Sequence, residues 1–185
     1  MKISARMRKK IRLYGFYVSL VLFLLGALML FGVSPMKLFV ISFLILLGCI
    51  SRLYKHFVGI SIGFELVTPI TIVLAYTTDF FFALIAGQFM FLVSTLLSGR
   101  LNAVAMVVQM SVYAVITLLT VLFSAVPFVT LAVFLVFVRN IVLWLMMVML
   151  FGVDFFKATL ATLPNIIINS FIVGTAGIFF VNVLV

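Results

Sequence analysis

The chain has 185 residues, 68% of them hydrophobic and only 8% charged, with a mean hydropathy of +1.53. A water-soluble domain of this size could not bury so much apolar surface, which excludes a soluble enzyme, a disordered tail and a disulfide-stapled secreted scaffold. The net charge of +9 does not argue for nucleic acid, because half of the positive side chains precede the first apolar segment, where such a run orients a membrane protein and meets anionic headgroups.

Residues 1–12 form that basic segment, with Lys2, Arg6, Arg8, Lys9, Lys10 and Arg12, and it is expected in the cytoplasm. Leu13–Gly32 follows. It is about 20 residues long, against roughly 7–15 for a signal-peptide core, and therefore reads as a first membrane span. Six further apolar runs are bounded by Pro, Gly or charge: Met36–Ser51, Phe57–Thr78, Phe80–Leu97, Ala103–Phe123, Pro127–Leu150 and Ala158–Val181. Their continuous apolarity, without alternation, specifies helices rather than barrel strands. Residues 13–185 thus form one all-α transmembrane bundle of about seven spans, with connections too short for a soluble domain.

Charge asymmetry tests that count. With seven spans and a cytoplasmic N-terminus, ten cations fall inside, including Arg52, Lys55, Arg100 and Lys157, against Lys37 alone outside. Making Met36–Ser51 re-entrant would lower the ratio to six against five, so the positive-inside rule favours seven spans in the cell membrane, C-terminus outside.

Only two full charges lie well inside apolar runs, Glu65 and Arg139. At 1.5 Å per residue they sit about 12 and 16 Å from the cytoplasmic ends of their spans, close enough in depth to pair. Gln88 and Asn169 fall at about 13–17 Å; Asn140 adjoins Arg139, and Gln109 and Asn165 lie nearer the cytoplasm. This polar layer reads either as hydrogen-bonded glue between helices or as a solute pocket, in which case it surrounds a cavity. Pro69, four residues after Glu65, predicts a kink, the device by which transporters build midplane sites; Pro164 does the same near Asn165 and Asn169. Gly59–Gly63 and Ala83–Gly87 have the small-xxx-small spacing that permits close helix approach.

Catalytic chemistry finds no support. His56 is the single histidine, Cys49 the single cysteine, and no HExxH, GxSxG or acidic cluster occurs. No enzyme activity and no cofactor are expected.

The stretch GFELVTPITIVLAYTTDFFFALIAGQFMFLVSTLLSGR, Gly63–Arg100, resembles the substrate-binding S components of energy-coupling-factor vitamin transporters. These carry an acidic residue and Pro in one helix, a tight turn, then a Gly/Ala-rich helix. The segment ATLPNIIINSFIV, Ala161–Val173, is similar both to those proteins and to the related rod-shape MreD family. The resemblance implies a six-span core as the alternative count. It also implies a membrane subunit without its own ATPase activity that binds a small solute or a protein partner, with Glu65, Gln88, Arg139, Asn140 and Asn169 in the binding site. Other membrane or ATPase subunits would then be its partners. The MreD-like alternative is a scaffold that assembles proteins in the bilayer.

Overall fold

The computed structural model describes residues 34–53, 65–98 and 103–185. Two units divide the chain, Met1–Phe43 and Leu44–Val185. Within the first, the described residues begin helix α1, Pro35–Ile50. The basic segment 1–12, the span at 13–32, the Gly59–Gly63 motif, Lys55, His56 and Arg100 lie outside the described residues.

All regular structure among the described residues is helical. After α1 come α2 (Val67–Thr77), α3 (Phe80–Ser98), α4 (Ala103–Leu122), α5 (Phe128–Met149) and α6 (Phe155–Ile172). The last helix widens into a π turn at Val173–Gly177 and continues as α7, Ile178–Leu184. Four helical stretches are long and apolar enough to cross a membrane: α3, α4, α5, and the 30 residues from Phe155 to Leu184. The expected span at Ala158–Val181 therefore extends at both ends. Helices α1 and α2 are apolar but shorter.

Each long helix has a buried stripe at the spacing of three and four that a helix surface imposes. In α4 the stripe is Tyr113, Ile116, Thr117 and Thr120; in α6 it is Ala158, Thr162, Asn165 and Asn169. The opposite faces carry large exposed apolar side chains such as Phe81, Val107, Phe134 and Phe171. Such surfaces are stable against hydrocarbon and not against water, as expected of a membrane-embedded, multi-pass protein. Thr117 and Thr120 donate to the carbonyls four residues earlier, so their hydroxyls are satisfied without a partner helix.

Helix α2 is different: Val67 to Ala75 are all buried. It packs against α3, α4, α5, α6 and α7 and forms the centre of the bundle. Close approach to α3 depends on Gly87, where an added Cβ would lie 2.9 Å from the Thr71 side chain. The Ala83–Gly87 spacing thus marks a real contact.

Two sequence expectations are corrected here. Glu65 is not mid-helix: α2 starts at Val67, leaving Glu65 just outside its N-terminus. Pro69 therefore stands in the first turn, where its missing N–H removes no intrahelical bond, and it starts the helix rather than kinking it. Asp79 and Asp154 cap α3 and α6. Asp79 accepts from the Phe82 amide at 2.9 Å, and Asp154 from Phe156 and Lys157 at 3.1 Å.

Candidate functional site: a buried ion network

Short connections return each helix alongside its predecessor. Gln88 of α3 reaches the Met110 carbonyl of α4 at 2.8 Å, and Trp144 of α5 donates to Thr159 of α6 at 3.1 Å. One end of the bundle therefore gathers the end of α3, the start of α4, the end of α5 and the start of α6. Glu65 and Arg52 enter at that end from the segments flanking α2 and α1.

The Glu65 carboxylate is the centre. Its Oε1 accepts from Arg52 Nη2 and from the Tyr113 hydroxyl, and its Oε2 accepts from Arg139 Nη2 at 3.0 Å. Arg139 also donates to the Tyr113 oxygen at 3.1 Å, while the Thr68 hydroxyl lies 3.3 Å from it. Arg52 reaches Thr95 through Nη1 and Gln109 Oε1 through Nη2, both at 3.0 Å. Aromatic faces complete the shell: Arg52 stacks 4.9 Å from the Phe91 ring centre and Arg139 lies 5.5 Å from that of Tyr113. Glu65, Arg52 and Arg139 are 5%, 6% and 1% exposed. In a medium this dry, an unpaired charge would be prohibitively expensive, so the multiple charge-assisted bonds are a condition of burial.

An amide ladder extends the network toward α6. Asn140 Oδ1 accepts from Asn165 at 2.9 Å and from Arg139 Nη1 at 3.4 Å. Asn140 anchors its own amide on the Val136 carbonyl at 2.8 Å, and Asn169 donates to Asn165 at 2.7 Å. Arg139, Asn140, Asn165 and Asn169, from α5 and α6, are thereby linked to Glu65.

The expected polar layer is thus brought together in large part: Glu65, Arg139, Asn140 and Asn169 belong to one network, with Asn165. Gln88 does not join it and instead ties α3 to α4. Arg52 needs correction, since the charge count placed it in a cytoplasmic loop, whereas it is buried on Glu65. Sequence reasoning also missed Tyr113 and Thr95. The available signal was arithmetic. The sequence has three acidic side chains, so any buried arginine had to compete for Glu65.

Neither Glu65 nor Arg139 lines the pocket found among the described residues. This cleft, of about 370 Å³, lies between the start of α4 and the end of α5, walled by Ala105, Val108, Leu143, Met146, Met147, Phe151 and Val153. Its polar wall is Gln109, which holds Arg52. No three His, Cys, Asp or Glu side chains among the described residues converge as metal ligands would. Compared with known proteins, the chain matches no family model, no curated protein and no solved structure.

Proposed function

We propose that this chain is a non-enzymatic, multi-pass subunit of the cell membrane that acts by assembling with protein partners, as its resemblance to MreD-like scaffolds implies. In this reading it has seven spans and a cytoplasmic N-terminus. The supporting observation is the state of Glu65: both carboxylate oxygens are taken by protein groups and the side chain is buried. A polar solute would have to displace an arginine to bind there. The network holds α2, α4 and α5 in register, and work outside the bundle falls to the exposed apolar helix faces.

Photo-crosslinking side chains placed at the exposed positions Phe81, Phe134 and Phe171 test this in intact membranes. One discrete adduct of fixed mass at one face is the expected result. No adduct at any face, or a thermal shift with a small polar solute that Glu65→Gln abolishes, would sink the proposal. The second result would favour the other reading, a solute-binding subunit resembling energy-coupling-factor S components and driven by a separate ATPase partner. One observation keeps that reading open: the cleft beside Gln109.

A further inference from the structure

The charges of the buried network do not balance. Two guanidiniums, Arg52 and Arg139, meet one carboxylate, Glu65. The other acidic side chains of the sequence are Asp79 and Asp154, and both are exposed and cap helices elsewhere. A net positive charge therefore remains in a nearly dry site, where it attracts an anion far more strongly than it would at a wetted surface.

The cleft supplies a route for one. Its walls are almost wholly apolar and flexible, with Leu143, Met146, Met147, Phe151 and Val108, a surface that accommodates a hydrocarbon chain. Gln109 is its polar end. The Gln109 carbonyl oxygen is turned to Arg52, and among the described residues no acceptor takes the N–H donors of that amide. A guest with an apolar tail and an anionic head would fill the cleft, accept from Gln109, and place its negative charge one amide away from Arg52. Free phosphate would gain the charge interaction but leave the apolar walls empty.

We propose that the cleft between α4 and α5 is a binding site for an anionic phospholipid, with an acyl chain along Leu143, Met146 and Met147 and the phosphate at Gln109, offsetting the excess charge of Arg52 and Arg139. The site does not rest on the assembly reading above.

The full chain, purified in a neutral detergent and stripped of lipid, is titrated with phosphatidylglycerol, phosphatidylcholine of the same acyl chains, and inorganic phosphate. Binding is read by native mass spectrometry and by thermal unfolding. Phosphatidylglycerol is expected to bind about tenfold more tightly than phosphatidylcholine, the order of one charge-assisted hydrogen bond, and inorganic phosphate is expected to give no shift. Met147→Trp, which fills the cleft, should abolish binding of the anionic lipid. Arg52→Gln should remove the preference between lipids, since Glu65 keeps Arg139 and the network becomes neutral. Should Met147→Trp fail to fold, Val108→Phe obstructs the same cleft from α4. Equal affinity for the two lipids, undiminished binding to the cleft-filled variant, or a phosphate shift that survives it would each overturn the proposal.

Discussion

Two guanidiniums and one phenol reach the Glu65 carboxylate, so the single losses are not equivalent. Glu65→Gln strips both arginines of the carboxylate they share, and leaving buried charges uncompensated costs about 3–5 kcal/mol. Arg139→Gln leaves Glu65 on Arg52, and its cost is expected to be smaller. Because the pair is in contact at 3.0 Å, Glu65→Gln combined with Arg139→Gln should be less damaging than the sum of the two; strict additivity would mean that the ion pair does not form. Tyr113→Phe keeps the ring under Arg139 and beside Phe91, whose centre is 5.4 Å away, but deletes the donor to Glu65. A hydrogen bond to a charged group contributes about 1.5–3 kcal/mol, and that loss is expected. Cys49 provides the readout for all of these variants: it is buried and free, so a thiol-reactive fluorophore reports its exposure as the bundle unfolds on heating.

Single elements show which parts of this arrangement were legible in the sequence. Runs of about 20 apolar residues announced α3, α4 and α5 nearly to their ends, because hydrocarbon admits little except continuous helix. Helix α2 was not legible as such. Its apolarity all round reads equally as a lipid-crossing span, and only the structure shows an 11-residue helix enclosed by others. The same ambiguity misplaced Glu65, since depth counted along the sequence assumes an unbroken helix. Arg52 does lie in the turn after α1, but a loop position cannot show a side chain folding back from a helix end into the bundle. Small residues, by contrast, were informative where backbone approach was close. Gly87→Ala should destabilise, because its methyl would meet the Thr71 side chain. Gly174→Ala, with nothing within 4 Å of an added Cβ, should be neutral or raise stability by up to about 1 kcal/mol through helix propensity. Equal melting shifts for the two variants would deny the close α2–α3 contact. At the start of α6, Asp154→Ala removes the acceptor of two backbone N–H groups and is expected to cost about 1 kcal/mol.

For the whole molecule, orientation depends on how charge is distributed between the two ends of the bundle. Burial of Arg52 removes it from the loop charges, leaving nine inside against Lys37 outside for seven spans; the re-entrant alternative falls to six against four. The preference is unchanged, because it rests on the basic residues 1–12 together with Lys55, Arg100 and Lys157. The network lies toward the end where α3 finishes and α4 begins, which this orientation makes cytoplasmic. An anionic lipid entering the cleft would then come from the leaflet richer in anionic headgroups. Orientation is tested by single cysteines in a background with Cys49 replaced. Ser34→Cys and Phe156→Cys both lie at exposed positions, close in sequence to Lys37 and Lys157. In intact cells an impermeant maleimide should label Ser34→Cys and spare Phe156→Cys until the membrane is opened. Labelling of Phe156→Cys from outside, with Ser34→Cys protected, would reverse the orientation and place the network in the outer half of the bilayer. Labelling of both from outside would remove one crossing from the count between them and require an even-numbered path from Ser34 to Phe156.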